Sequence, residues 1–156
     1  MLAFTRKIDY ALIALAHLAR HGQVSCSARE LGKEYGMPLP LLMNILKRLA
    51  QQGLVQSVRG PSGGYRLALS PEKITLNNII ETVEAPVQLV QCIEWYQNKL
   101  RGKTKTGCNM MAVCPARPTI QKVHTQILEI LSGVTLADIL LDAPSGELNA
   151  QEEGKL

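Results

Sequence analysis

A chain of 156 residues is about one domain long, and 46% hydrophobic residues suffice for a real core, which excludes a disordered polypeptide. Seventeen Lys and Arg stand against 13 Asp and Glu, a net charge of +4. No apolar run approaches the ~20 residues of a membrane span, and Met1 to Lys7 lack the apolar stretch of a signal peptide, so a soluble cytoplasmic protein with no membrane partner is expected.

The averages hide two asymmetries. Residues 1–80 hold ten Lys and Arg against four Asp and Glu, a net of +6, whereas residues 81–156 hold seven against nine, a net of −2. The basic half is a candidate for contact with a polyanion. Of the cysteines, Cys26 lies in that half, while Cys92, Cys108 and Cys114 cluster further on. In a cytosolic chain such a cluster points to metal or redox chemistry before a disulfide frame.

In chain order, Ile8, Leu12, Leu15, Ala16, Leu18 and Ala19 have helical spacing and predict a first helix over 5–20, ending near His21-Gly22. Ser27 followed by Glu30 is a capping-box arrangement opening a short helix that ends near Tyr35-Gly36. Pro38 and Pro40 suit a turn and a first helical turn. Leu41, Leu42, Ile45, Leu46 and Leu49 then predict a third helix that stops at Gln52-Gly53. Residues 54–58 and 65–69 alternate around the turn Arg59-Gly60-Pro61-Ser62-Gly63-Gly64, which predicts a hairpin. The sum is a mainly α fold with a small β-hairpin wing, a winged helix-turn-helix. A small α+β domain with no DNA role is the plain alternative, against which stand the basic charge and the Arg-Gly-rich hairpin tip.

Thr75 to Val83 predicts a further helix. Pro86 opens a less regular stretch that runs through Cys92 to Cys114-Pro115. From Thr119 to Leu131 the set Ile120, Val123, Ile127, Leu128, Ile130 and Leu131 predicts a long helix whose stripe needs a partner surface, and the same helix of a second chain is the economical choice. A last helix follows from Thr135, its N-cap, to Leu141. The expected division is a DNA-binding domain over 1–84, a cysteine-containing sensor loop over 85–118, a dimerisation helix and short C-terminal helix over 119–142, and a flexible tail over 143–156.

The third helix of a helix-turn-helix enters the major groove with its N-terminal residues at the bases. Here these are Leu39, Pro40, Leu41, Met43 and Asn44. Asn44 can pair bidentately with adenine, and Lys47 and Arg48, a turn further on, suit phosphates. Most of the leucines belong to a buried stripe. At the hairpin tip Arg59 is placed to reach a minor groove, and Gly60, Ser62, Gly63 and Gly64 let backbone approach phosphates. The glycines lie in a hairpin and not before a helix, so they form no phosphate loop of a nucleotide enzyme, and no Ser/His/Asp set stands out. An enzyme is not expected.

The stretch from Gly53 to Ala68, GLVQSVRGPSGGYRLA, closely resembles the wing signature of the Rrf2 family of winged-helix regulators, whose members include IscR, NsrR, RirA and CymR. The opening Phe4 to Leu12 and Thr135 to Ile139 resemble that family too, so the resemblance covers roughly residues 1–142. It implies a homodimer, paired through the long helix after Pro115, that binds a two-fold operator in double-stranded DNA. Many members carry an iron–sulfur cluster and others do not.

Cluster-binding members use three cysteines between the wing domain and the dimer helix, and soft thiolates suit iron in clusters. The resemblance therefore implies Cys92, Cys108 and Cys114 as ligands. Five residues separate Cys108 from Cys114, as in the family, but fifteen separate Cys92 from Cys108, several more than usual. In one branch a His three residues after the last Cys is the fourth ligand; that position here is Arg117, which cannot ligate. Another branch uses an Asp of the first helix, which matches Asp9. The plain reading of Asp9 is a first-turn acid facing the helix dipole. Three cysteines and one further ligand fit both the 2Fe-2S and the 4Fe-4S type. A cluster-free regulator answering to a thiol oxidant, small molecule or partner protein, a zinc site, and an electron carrier are the alternatives. His124, on the long helix, is a further ligand candidate, though a packed or surface histidine is the plainer reading for it and for His17 and His21. Cys26 has no evident partner.

The mechanism these features predict is that a change in the cluster alters the loop, and the loop alters the spacing of the two recognition helices.

Overall fold

The fold is taken from a computed structural model in which residues 5–60, 63–89, 108, 110 and 113–142 are described. Helix α1 (Arg6–Arg20) is the central element. Its Ile8, Ala11, Ala14, Leu15 and Leu18 recur every three or four residues and are all at most 3% exposed. It ends at His21, where Gly22 takes a positive φ of 59°.

Helix α2 (Ala28–Glu34) starts with the expected capping box: Glu30 N donates to Ser27 Oγ at 3.2 Å and Ser27 N donates to Glu30 Oε2 at 2.7 Å. Helix α3 (Leu39–Gln51) follows a tight turn, with Pro38 at its N-cap and Pro40 in its first turn. It buries Leu42, Ile45, Leu46 and Leu49 against α1, α2 and α4.

Strands β1 (Val55–Val58) and β2 (Gly64–Leu67) form an antiparallel hairpin that pairs Val55 with Leu67, Gln56 with Arg66, Ser57 with Tyr65 and Val58 with Gly64. Both are slightly shorter than the alternating runs predict. The wing is not held by its own hydrogen bonds alone. Cys26 and Tyr65 exchange both backbone bonds, at 2.9 and 2.8 Å, so the turn before α2 pairs with the outer edge of β2.

A 3₁₀ turn (Pro71–Lys73) leads to α4 (Leu76–Val83), whose N-terminus carries a second capping box, between Thr75 and Asn78. Helix α5 (Arg117–Gly133) begins two residues before the predicted start and runs two beyond the predicted end; Pro118 sits in its first turn. In α6 (Leu136–Asp142) Thr135 caps as predicted: Asp138 N donates to Thr135 Oγ1 at 3.2 Å and Thr135 N donates to Asp138 Oδ2 at 2.8 Å.

The buried side chains form one core, and Leu131 of α5 and Leu136 of α6 belong to it. Two backbone bonds fix this arrangement: Leu76 N to Val134 O and Leu136 N to Ile74 O, both 2.8 Å. Burying a leucine contributes about 1.5–3 kcal/mol, so these two anchor the C-terminal end of α5 and all of α6 on the winged-helix unit. The N-terminal part of α5 leaves Val123 39% exposed, and Ile130 stands out at 67%. The predicted tail, 143–156, lies outside the described residues.

Candidate nucleic-acid interface and thiol sites

The burial of one face of α3 decides which side chains are left outside. Pro40, Met43, Asn44 and Lys47 are all exposed, Met43 at 52%, and their spacing of three, one and three residues puts them on a single face. Leu39 and Leu41 are half-buried. Arg59, at the end of β1, is exposed and follows directly on the strand.

The hairpin glycines have reasons internal to the turn. Gly60 has φ 123°, a conformation that favours glycine, and its carbonyl accepts from Gly63 N at 2.9 Å. A Cβ on Gly63 would meet the Val58 carbonyl oxygen at 2.5 Å; one on Gly64 would meet the Cys26 carbonyl oxygen at 2.4 Å. The last two glycines are thus required by close backbone approach within the chain. Ser62 and Pro61 lie outside the described residues.

Arg48, exposed like Lys47, also has a partner within the chain. Its Nη1 donates to the Val83 carbonyl oxygen at 2.9 Å, so the guanidinium caps the C-terminus of α4 instead of standing with the Met43 face. The next residue, Glu84, accepts from Thr5 Oγ1 at 2.5 Å and pairs with Lys7 Nζ at 3.8 Å. The end of α4 is therefore tied to α3 and to the start of α1.

Under the wing lies a polar cluster that the periodicity of α1 conceals. His17 is only 4% exposed. Its Nδ1 faces Tyr35 Oη at 3.1 Å and Glu34 Oε1 at 3.4 Å, its Nε2 lies 3.4 Å from Cys26 Sγ, and its ring stacks on His21 at 4.0 Å. Burial lowers the pKa of His17, against the raising effect of Glu34. Burial, followed by the Glu30 carboxylate, pushes the Cys26 thiol up to about 11. The signal that would have found this cluster is His17 itself, a polar residue in register with Ala14 and Leu18.

Of the metal-ligand candidates, Asp9 is exposed in the first turn of α1. Cys108 and Cys114 are half-buried free thiols, the latter three residues ahead of α5. Cys92 lies outside the described residues. Among the described residues no three His, Cys, Asp or Glu side chains converge on a metal position. The donor set fits an iron–sulfur cluster in kind, two uncommitted thiols and an accessible carboxylate. His124 is 7% exposed on α5 with both ring nitrogens lacking a hydrogen-bond partner, and burial lowers its pKa. Among the described residues no helix is long and apolar enough to cross a membrane.

Comparison with known proteins agrees with this architecture. The chain is 30% identical over 139 residues to the HTH-type transcriptional regulator IscR of Aliivibrio salmonicida, covering 88% of this chain and 77% of that protein. The solved structure of T. potens IscR superposes with a TM-score of 0.66 at 28% identity, over 98% of this chain and 94% of that one. CymR, the global cysteine regulator of B. subtilis, shares the fold at the same TM-score and 24% identity, over 92% of this chain and 99% of that one. Residues 4–142 match the Rrf2 family, described as an iron-dependent transcriptional regulator. On that match and the 30% identical relative, the chain belongs to the Rrf2 family and is a transcriptional regulator, not an enzyme.

Proposed function

We propose that the protein is a cytoplasmic homodimer that binds a two-fold operator and whose DNA affinity is set by an iron–sulfur cluster sensing redox, iron or nitric oxide status. The observation that carries the DNA-reading part is the outward face of α3, where Pro40, Met43, Asn44 and Lys47 are exposed while Leu42, Ile45, Leu46 and Leu49 are buried. Asn44 reads a base, Lys47 neutralises a phosphate, Leu39 and Pro40 set the approach of the helix, and Arg59 enters a groove beside Gly60, Ser62 and Gly63. Residues 1–84 read DNA, 85–118 sense and 119–142 pair the chains. The exposure of Val123 and Ile130 on α5 supports the pairing.

Cys92, Cys108 and Cys114 supply three thiolates to the cluster and Asp9, reaching across the dimer, a weaker oxygen ligand. When bound, the cluster contributes a charge that changes on oxidation or nitrosylation and disappears on loss. The cysteines occupy the segment between α4 and α5, so their release frees the connection between the DNA domain and the pairing helix.

Anaerobic purification with iron and sulfide counts tests the reading, followed by binding to a duplex selected from random sequence with and without the cluster. The expected result is coloured protein whose affinity changes on cluster removal, and whose cluster is more labile in Asp9→Ala. Colourless, iron-free protein after anaerobic reconstitution, or a Cys92/Cys108/Cys114 triple-alanine variant with unchanged affinity and response, overturns it; a response to thiol oxidants alone points to a cluster-free regulator.

A further inference from the structure

The end of α4 ties α3 and the start of α1 to two adjacent residues, Val83 and Glu84. Val83 ends α4 with its side chain fully buried. Its carbonyl accepts from Arg48 of α3, 35 residues away in sequence, and Glu84 beside it takes Thr5 and Lys7 at the start of α1. Asp9 lies two residues beyond Lys7. The chain then leaves the helix with Glu84 at φ −119° and ψ −105°, directly into the segment that carries the three clustered cysteines.

Arg48 lies one residue after Lys47 and is exposed like it, yet its guanidinium donates to the backbone of a neighbouring helix. A carbonyl at a helix C-terminus has no intrahelical donor, so a cationic donor there satisfies the carbonyl and the helix dipole together. The bond is directional and spans two elements. A displacement of Val83 by the segment after it must therefore be followed by α3 or break the bond.

We propose that Arg48 is a positioning residue which transmits the state of the cysteine segment to the recognition helix through its hydrogen bond to the Val83 carbonyl, and that it does not contact DNA. The proposal rests on the sensing function inferred above. It joins sensor segment and recognition helix through one directional bond, whose loss is expected to uncouple them.

The test measures the affinity of the dimer for the selected duplex in cluster-loaded and cluster-free form, for the wild type, Arg48→Met and Arg48→Lys, with salt titrations and thermal melts. Wild-type affinities for the two forms are expected to differ by about 5–150-fold. In Arg48→Met the ratio collapses toward one while the slope of affinity against salt stays at the wild-type value. Arg48→Lys, which retains a charge and a donor near the carbonyl, restores part of the ratio. If the wild type shows a ratio and Arg48→Met keeps it, coupling through Arg48 is wrong and the sensing function stands. If both forms weaken equally and the salt slope falls by about one, Arg48 is a phosphate contact and the proposal is overturned. A wild type with no difference between forms removes the sensing function and this proposal with it. Should Arg48→Met not fold, Arg48→Lys alone decides: a full wild-type ratio overturns the proposal, and a reduced ratio at unchanged salt slope supports it.

Discussion

Cys26 Sγ lies 3.4 Å from Nε2 of His17, and the thiol is also 3.7 Å from a Glu30 carboxylate oxygen. Burial, followed by that carboxylate, pushes the thiol up to about 11. The thiolate is the nucleophile in alkylation and oxidation, so Cys26 should react slowly despite its partial exposure. At pH 8 its alkylation in the folded protein should be about two orders of magnitude slower than that of an unperturbed cysteine of pKa about 8.5. Mass spectrometry of tryptic fragments after timed iodoacetamide treatment reads this directly. Labelling at the rate of a free peptide would mean that neither burial nor the Glu30 contact protects the thiol.

Gly64→Ala should damage the wing more than its size suggests. The added Cβ would lie 2.4 Å from the Cys26 carbonyl oxygen and 2.9 Å from Ser27 N, both backbone atoms that cannot swing aside. Relief requires β2 to move off the turn before α2, which breaks the paired Cys26–Tyr65 bonds. The expected cost is about 1–3 kcal/mol in urea unfolding, as for other overpacked sites. DNA affinity should fall as well, because the wing loses its outer support.

Two buried histidines give the fold a pH dependence whose sign is fixed. His17 and His124 both have pKa values below the usual 6.5, mainly through burial. The unfolded chain takes up protons near pH 6.5 that the folded chain resists, so their contribution to stability is complete above about 6.5 and is lost as pH falls below it. The slope is at most about 1.4 kcal/mol per pH unit for each histidine. Urea midpoints between pH 5 and 8 check it. His124→Leu should flatten the profile and raise the melting temperature, since two buried nitrogens without partners disappear. An unchanged slope in that variant would assign the pH dependence to other groups.

What was legible in the sequence follows from the range of each interaction. The Ser27–Glu30 box, the Thr135 cap and the buried stripe of α3 are set by neighbours within a turn or two, and the pattern alone locates them. Arg48 sits among exposed positions of α3, so local spacing puts it with Lys47; its partner is 35 residues away and only the packing of α3 on α4 reveals it. Gly63 and Gly64 look like freedom for a loop tip, whereas the reason for Gly64 lies across the wing at Cys26. The stripe of α5 calls for a partner surface, and part of that surface proves to be the chain's own core, through Leu131.

The outward face of α3 and the wing tip should separate base reading from charge neutralisation. Asn44 and Lys47 are three residues apart on that face and both are exposed. Asn44→Ala removes a bidentate base contact and should cost about 1–3 kcal/mol, with specificity relaxed at one position of the operator and the salt slope retained. Lys47→Ala should weaken binding about equally across sequences and reduce the salt slope by about one, because a phosphate carries no sequence information. Arg59→Ala should cost about 1–3 kcal/mol if the side chain enters a groove, with the loss concentrated on duplexes altered where the wing reaches. Mobility shifts over a salt series, on the selected duplex and on single-base variants of it, distinguish all three. If Asn44→Ala loses affinity uniformly across those variants, α3 is held on the backbone and the bases are read elsewhere. If Arg59→Ala shows no loss, the wing tip does not touch DNA, and Gly60 and Gly63 are explained by the turn alone.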